Sequence, residues 1–332
     1  MKNVLIHIYQ PDLPLWNFPK GLAERWQSKL GPVGVRVVEA REKDHFLAEL
    51  ASAEVVIGGG LNPRTFPHAR VLKWVQTTSA GVSHLLFPEL VKSPVVVTNG
   101  RGLYAVPMAE HLLAMMLALV RKISRARDYQ REKRWGQDEI WRETPTIDEL
   151  PGKTFGIVGF GSIGRELAIR SNAMGMRVLA LRRQPDDVVF EGVGEIRGPE
   201  SLAWLVSQCD FVADCLPETE RTRSLFDKTV FSQMKPGAYF LNVGRGKTVD
   251  EPALIQALES GHLAGAGLDV TAEEPLPEDS PLYRIPSVVL TPHISGGSAR
   301  FWDRASDLFT ENLSRYFERK PLLNLVDKQE GY

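Results

Sequence analysis

The sequence predicts an α/β protein with two doubly wound, Rossmann-like parallel-sheet domains. The first observation is that short apolar runs alternate with amphipathic helical segments along most of the 332 residues. Such alternation is typical of parallel strands joined by crossover helices. The second is a glycine cluster, "GFGSIG" at Gly159–Gly164, which follows one apolar run and opens a helical pattern. The third is the length of the chain, which exceeds one typical domain and suits two.

Composition restricts the classes of partner. Hydrophobic residues make up 43% of the chain and charged residues 24%, and the formal net charge is −1. This balance predicts no nucleic-acid binding and no attraction to a membrane surface. No apolar run approaches the roughly 20 residues of a membrane-spanning helix, and the first residues lack the features of a signal peptide. We therefore expect a cytoplasmic protein that binds a small molecule.

Five strand-like runs predict a first doubly wound unit up to about residue 100. They are "VLIHIY", "VRVVEA", "EVVIGG", "LKWVQTT" and "VVVTN". Amphipathic segments such as "GLAERWQSKL" lie between most of them. A helix is then predicted from about Val106 to Arg127, followed by the charged segment "YQREKRWGQDEIWRETPT", which interrupts the alternation.

Six further runs predict a second parallel sheet. They are "FGIV", "RVLAL", "CDFVADCLP", "GAYFLNVG", "LAGAGLDV" and "SVVLTPHIS". Each ends in a loop with polar or glycine residues, and ligands of open α/β sheets bind at the loops that follow the strands. Cys209 and Cys215 lie in the third run, so we expect reduced core thiols without a disulfide or metal role. The chain closes with a helix of about residues 298–319, which is predicted to pack on the first unit.

The glycine cluster predicts a dinucleotide site. Gly159, Gly161 and Gly164 form G-x-G-x-x-G between a strand and a helix. The first glycine permits a tight turn, the second lets the backbone approach a pyrophosphate, and the third lets helix and strand pack closely. The helix N-terminus offers free N–H groups to the phosphates. The alternative is a glycine-rich turn that binds no ligand.

An arginine stands where such sites usually carry an acid. An Asp or Glu about twenty residues after the glycines would hold the adenosine ribose, but "RVLALRRQP" has Arg182 and Arg183 instead. A guanidinium can bind a 2′-phosphate bidentately, so the sequence favours NADP over NAD. The alternative is a pair of solvated surface arginines.

Three later strand ends carry reactive side chains. Arg245 lies between two glycines after a strand, Asp269 ends the next strand, and Glu273 and Glu274 follow it. His293 follows the last strand and a proline. A carboxylate beside a histidine favours the imidazolium, a usable acid near neutral pH. The remaining histidines are interpreted as structural or surface residues. Arginine, acid and histidine together predict polarisation of a carbonyl and proton exchange beside hydride transfer.

These motifs resemble the D-2-hydroxyacid dehydrogenase family. The resemblance is carried by "GKTFGIVGFGSIGRELA", "LNVGRGKTVDEPAL", "AGAGLDVTAEEPLP" and "LTPHISG", and it extends from about Val95 to Gly297. Within the family, the chain is most similar to the glyoxylate/hydroxypyruvate reductase group. The resemblance implies a flavodoxin-like substrate domain of residues 1–100 and 297–332. It also implies an inserted NAD(P)-binding domain of residues 101–296, with the substrate bound between the two domains.

The resemblance also implies roles for individual residues. Arg245 would bind the substrate carboxylate and carbonyl, His293 would donate the proton, and Glu274 would hold the imidazole. The implied substrate contacts are Ser79, Ala80, Gly81, Val82, Arg245 and His293. The implied cofactor contacts are Gly159, Phe160, Gly161, Ser162, Ile163, Gly164, Arg182, Arg183, Leu216, Pro217, Thr222, Val243, Gly244, Arg245, Asp269 and His293. Asp269 would approach the nicotinamide end.

Family members are usually homodimers joined by an extended arm, which residues 121–150 match here. Trp135 or Trp141 would then reach the partner's active site or lie in a plain interface. The resulting prediction is an NADPH-preferring oxidoreductase that reduces glyoxylate or hydroxypyruvate. Two alternatives stay open: an NAD-linked dehydrogenase of a bulkier acid, and a dinucleotide-sensing binding protein of the corepressor type.

Overall fold

The chain folds into two compact units. The computed structural model of the chain describes residues 2–8, 10, 12–185 and 189–331. The first unit comprises Met1–Tyr104 and Gly297–Tyr332, and the second comprises Ala105–Gly296. The second unit is therefore an insertion between two segments of the first.

The first unit contains a five-stranded parallel sheet. All five predicted runs form strands: β1 Lys2–His7, β2 Val35–Glu39, β3 Val55–Gly58, β4 Trp74–Gln76 and β5 Val96–Thr98. Their order is β2-β1-β3-β4-β5. This 2-1-3-4-5 order is that of flavodoxin-like folds, so the predicted class of this sheet is confirmed.

Helices cover the sheet of the first unit. They are α1 Leu22–Leu30, α2 Lys43–Leu50, α3 Pro88–Lys92 and a C-terminal helix, Phe301–Phe317. The C-terminal helix buries Phe301, Ala305, Phe309 and Leu313 in one core cluster with residues of β1 and α1. This spacing of four residues places the apolar side chains along one face of the helix.

The second unit contains a seven-stranded parallel sheet. Its strands are β6 Thr154–Val158, β7 Arg177–Leu181, β8 Val193–Arg197, β9 Phe211–Asp214, β10 Ala238–Asn242, β11 Leu263–Leu268 and β12 Val288–Leu290. The order β12-β11-β10-β9-β6-β7-β8 extends the Rossmann order by one strand. Strand β8 was not predicted from the sequence, because this edge strand is only half-buried and carries charged residues.

The second unit contains seven helices in its described part, and two of them replace one predicted helix. They are α4 Ala105–Val120, α5 Ile123–Arg131, α6 Gln137–Arg142, α7 Ser162–Ala173, α8 Leu202–Gln208, α9 Lys228–Gln233 and α10 Glu251–Glu259, and the C-terminal helix becomes α11. The predicted single helix from Val106 to Arg127 is wrong. Lys122 adopts a left-handed conformation (φ 56°) and separates α4 from α5. The helical pattern of the sequence continues across this break, so periodicity alone did not indicate it.

The loops that follow the parallel strands of the second unit lie at one edge of its sheet. Strands β6, β9 and β10 are buried along their whole length, as expected for parallel strands covered on both faces. The polar residues that follow these strands therefore share one edge of the sheet. Cys209 and Cys215 are free and flank β9 rather than lying within it. None of the helices in the described ranges is long and apolar enough to cross a membrane.

Candidate active site

The glycine turn between β6 and α7 has a separate steric reason for each glycine. Gly159 has a left-handed φ of 100°, and a Cβ there would lie 2.9 Å from the Cys215 backbone. A Cβ on Gly164 would lie 3.0 Å from the Gly159 carbonyl oxygen. A Cβ on Gly161 would meet nothing within 4 Å. Open space beside Gly161 leaves the backbone accessible to a ligand.

The N-terminus of α7 presents free hydrogen-bond donors beside this space. The first intrahelical bond runs from the Arg165 amide to the Gly161 carbonyl. Among the described residues, the amides of Ser162, Ile163 and Gly164 have no acceptor. The first turn contains no acidic residue. Free amides and a positive helix end fit the pyrophosphate of a dinucleotide.

Arg182 lies directly beside the glycine turn. The Leu181 carbonyl, at the end of β7, accepts hydrogen bonds from the amides of Gly159 (3.1 Å) and Phe160 (2.8 Å). These bonds hold the ends of β6 and β7 together. Arg182 follows and is half-buried, whereas Arg183 is exposed. The arginine therefore occupies the strand end at which a ribose-binding acid was expected.

The loop after β9 packs against the glycine turn and closes on itself. The Thr222 hydroxyl donates to the Pro217 carbonyl over 2.7 Å. The Leu216 amide donates to the Asp214 carboxyl group over 2.9 Å. These bonds give the predicted cofactor-contacting residues of this loop a defined backbone path.

Arg245 lies on the loop that follows β10. The Val243 amide donates to the Asp214 carbonyl (3.2 Å), and the Gly244 amide donates to the Asn242 side chain (2.8 Å). A Cβ on Gly244 would lie 2.6 Å from the Leu216 carbonyl oxygen. Because the loops after β9 and β10 approach so closely, only glycine fits at that position. The Arg245 side chain is half-buried and donates to the Gly244 carbonyl over 2.7 Å.

The side chains of Glu274 and His293, which the sequence predicts as an acid–base pair, are in direct contact. The His293 Nδ1 lies 2.7 Å from the Glu274 Oε2, and the two side chains are 51% and 40% exposed. The other oxygen of Glu274 accepts from the Thr271 amide over 3.2 Å. With Nδ1 donating to the carboxylate, Nε2 is the ring nitrogen that can exchange a proton with a ligand.

His293 is held in an unusual backbone conformation. Its φ of 53° lies in the left-handed region, which is rare for a non-glycine residue. The Asp269 backbone carbonyl accepts from the His293 amide over 2.8 Å. Surrounding structure therefore holds the His293 backbone in place, and the contact with Glu274 orients the ring.

The Asp269 carboxyl group is buried and fixes the same loop. It accepts from the Thr291 hydroxyl (2.7 Å) and from the amides of Ile294 (2.9 Å) and Ser295 (3.0 Å). Its side chain is fully buried. The observed contacts make Asp269 a support for the loop of His293, and the approach to a nicotinamide stays a prediction.

His111 also belongs to this network. Its Nε2 lies 2.8 Å from the Thr291 hydroxyl and 3.6 Å from the Asp269 Oδ1. His111 was among the histidines interpreted as structural or surface residues, and it lies beside a carboxyl group of the candidate site. Helix α4 and the loop after β12 are distant in the chain, so no local pattern pointed to this contact.

The loop of Ser79–Val82 in the first unit fits an anion nest. The carbonyls of Ser79 and Ala80 accept from the Gly100 amide and the Asn99 side chain, each over 2.8 Å. Within the described ranges, the amides of Ala80 and Gly81 donate to no acceptor. Val82 is buried and anchors the loop. Carbonyls bonded inward and amides without acceptors suit a bound carboxylate.

The charged segment after α5 exposes two large aromatic side chains. Trp135 is 89% exposed and Trp141 is 60% exposed. The segment includes the short helix α6. Exposed tryptophans on a charged segment are typical of a protein–protein interface.

Comparison with known proteins yields matches over the whole chain. Residues 113–295 match the NAD binding domain of the D-isomer specific 2-hydroxyacid dehydrogenases. A glyoxylate reductase of Korarchaeum cryptofilum is 33% identical over 272 residues, 81% of this chain and 80% of that protein. A glyoxylate reductase of Thermococcus litoralis is 31% identical over 320 residues, 96% of this chain and 91% of that protein.

A solved structure is similar along its full length. It is the NADPH-dependent glyoxylate/hydroxypyruvate reductase of Sinorhizobium meliloti, in complex with NADP and sulfate. It is 27% identical, covers 100% of both chains and has a TM-score of 0.80. These similarities agree with the parallel sheets, the glycine turn and the histidine–carboxylate pair.

Proposed function

The chain belongs to the D-isomer specific 2-hydroxyacid dehydrogenase family, and on that premise we propose that it reduces small 2-oxo acids to D-2-hydroxy acids with NADPH. Glyoxylate and hydroxypyruvate are the proposed substrates. The observation that carries the proposal is the 2.7 Å contact between the side chains of His293 and Glu274. The loop that bears His293 is held by the Asp269 carboxyl group. This pair lies at the strand ends of the sheet that also bears the glycine turn.

His293 is the proposed proton donor. Its Nδ1 is engaged by Glu274, so Nε2 protonates the substrate carbonyl oxygen as that oxygen gains negative charge. The Glu274 carboxylate stabilises the imidazolium before transfer and keeps the ring oriented. When bound, NADPH would supply the hydride to the carbonyl carbon.

Arg245 is the proposed group that binds and polarises the 2-oxo acid. A planar guanidinium can donate to a carboxylate and to the adjacent carbonyl oxygen at once. The tight packing at Gly244 limits the backbone freedom of this loop. In the first unit, the amides of Ala80 and Gly81 are proposed donors to the substrate carboxylate, because they lack acceptors in the described chain.

Arg182 is the proposed determinant of the cofactor. It lies next to the glycine turn, where its guanidinium can pair with the 2′-phosphate of NADPH. The NADPH dependence named for the Sinorhizobium meliloti enzyme supports this assignment. Arg183 is proposed to add positive charge to the same phosphate.

We also propose that the protein is a cytoplasmic homodimer that pairs through residues 121–150. The exposed Trp135 and Trp141 support this surface, and the two free cysteines suit a reducing compartment. Sedimentation velocity of the native chain and of Trp135→Ala tests the dimer. A monomeric native chain contradicts it, and a shift of the variant toward monomer supports it.

The test of the proposed activity is the initial rate of glyoxylate and hydroxypyruvate reduction with NADPH and with NADH. We expect faster turnover with NADPH and D-glycerate as the product of hydroxypyruvate. Equal rates, or a preference for NADH, would contradict the role of Arg182. Activity restricted to branched or aromatic 2-oxo acids would contradict the proposed substrates. Tight cofactor-dependent peptide binding without turnover would favour a sensor.

A further inference from the structure

Asp214 is a buried carboxyl group that the proposed reaction does not use. It ends β9, and none of its surface is exposed. No described residue forms an ion pair with it. Its Oδ1 accepts from the Leu216 amide over 2.9 Å, and its Oδ2 contacts the Thr248 hydroxyl, which is itself fully buried. A buried carboxylate with so few donors would be costly in its charged form.

The contacts of the Thr248 hydroxyl indicate the protonation state of Asp214. The Thr248 Oγ1 contacts both the Asp214 Oδ2 and the Arg245 carbonyl oxygen, the latter at 2.6 Å. A hydroxyl has one proton to donate, and a carbonyl oxygen can only accept. If Asp214 were ionised, one of the two contacts would join two oxygens without a proton between them. A second proton, on Asp214, satisfies both contacts.

The surroundings of Asp214 favour the same state. Its neighbours on the paired strands are Val158 of β6 and Asn242 of β10. Burial raises the pKa of Asp214 to about 7, against the weaker opposing effects of the Thr248 and Leu216 hydrogen bonds. Within the described part of the chain, no cation is among the groups that shift this pKa, so no positive charge offsets the effect of burial.

The titratable groups nearest to Asp214 do not change this conclusion. Cys215 adjoins it, and burial raises the pKa of that thiol, which stays neutral in the physiological range. On the facing loop Lys247 is exposed to solvent. The Arg245 guanidinium donates to the Gly244 carbonyl.

We propose that Asp214 is a protonated positioning residue for the loop of Arg245. Its acid proton is donated to Thr248, and the Thr248 hydroxyl proton is donated to the Arg245 carbonyl. The Asp214 Oδ1 holds Leu216 at the same time, so one neutral acid joins two loops. The consequence for substrate binding rests on the proposed role of Arg245, whereas the protonation state does not.

Loss of this proton should loosen the Arg245 loop. An ionised Asp214 would accept the Thr248 hydroxyl proton, and the Arg245 carbonyl would lose that donor. The KM for the 2-oxo acid should therefore rise in the native protein as the pH increases through about 7 and stay nearly constant in Asp214→Asn, while kcat follows the same pH dependence in both proteins. A purely structural role would not produce this split between KM and kcat.

Asp214→Asn tests the protonation state without any substrate. Asparagine places a donor toward Thr248 and an acceptor toward Leu216, as the neutral acid does. A raised pKa means that the folded chain holds a proton that the unfolded chain releases above about pH 4. The native protein should then lose stability as the pH rises from about 4 to about 7, and this component is absent from the variant.

The expected result is that the melting temperature of Asp214→Asn rises relative to the native protein by several degrees between pH 5 and pH 8. Parallel melting curves at all pH values would overturn the protonated state. Thr248→Val, which lacks the hydroxyl, should raise KM about tenfold or more. Asp214→Asn should keep most of the native kcat/KM, and its KM should rise less with pH than the native KM. Equal losses in the two variants would overturn the positioning role. If no 2-oxo acid is reduced, the melting curves still decide the protonation state.

Discussion

The two loops that carry Arg245 and His293 are supported by aspartates in equivalent places. Asp214 is the last residue of β9 and contacts the loop after β10. Asp269 directly follows β11 and contacts the loop after β12. Both side chains are fully buried. They differ in the donors around them: Asp269 accepts from one hydroxyl and two amides, whereas Asp214 has one amide and a hydroxyl that also contacts a carbonyl.

This difference shows that burial alone does not decide how an aspartate supports a loop. Three donors satisfy a carboxylate as an acceptor. One donor and one shared hydroxyl require the acid to supply a proton of its own. The loop of His293 is therefore held by an acceptor, and the loop of Arg245 by a neutral acid.

The largest expected effect is the loss of turnover when His293, on the second of these loops, is replaced. His293→Ala removes the proposed proton donor, so kcat should fall by about 10²–10⁴-fold. Binding of NADPH, measured by fluorescence titration, should stay close to that of the native protein. Near-native turnover in the variant would show that another group protonates the carbonyl.

An intermediate effect compares the two aspartates directly. Asp269→Asn replaces an acceptor oxygen by an NH2 group that faces a backbone or hydroxyl donor, which should cost about 1–3 kcal/mol of unfolding free energy. It should also lower kcat through misplacement of His293. Asp214→Asn at pH 8 is the matched control, since it keeps the donor pattern. Chemical denaturation measures both, and equal destabilisation would remove the distinction.

The smallest expected effect lies outside both loops. Arg182→Asp should lower the ratio of kcat/KM for NADPH to that for NADH by about 10–100-fold, because one charge-assisted contact is lost and a repulsive one gained. Arg177→Asp, at the exposed opposite end of β7, is the control. An unchanged ratio in Arg182→Asp would mean that other groups bind the ribose.

The sequence indicated those parts of the molecule that depend on short stretches of chain. The apolar runs, the glycine turn and the strand-end position of His293 are local patterns, and the structure places them in the predicted sheets. Strand β8 was missed because its edge position tolerates charged residues. The break at Lys122 was missed because a single left-handed residue leaves the pattern of apolar side chains intact.

The supporting network could not be predicted because its members meet only in the folded chain. His111 reaches Thr291 from helix α4, and Thr248 reaches Asp214 from the next loop of the sheet. One signal was present: Asp214 is an acid at the end of an otherwise apolar run, "FVAD". An acid in such a place requires a partner or a proton.

The fate of the transferred hydride tests the proposed reduction most directly. The native protein is incubated with hydroxypyruvate and NADPH deuterated at the reactive C4 position, and the product is examined by mass spectrometry and chiral chromatography. We expect D-glycerate with one deuterium at C2. Unlabelled glycerate, the L isomer, or unchanged hydroxypyruvate with intact cofactor would contradict it.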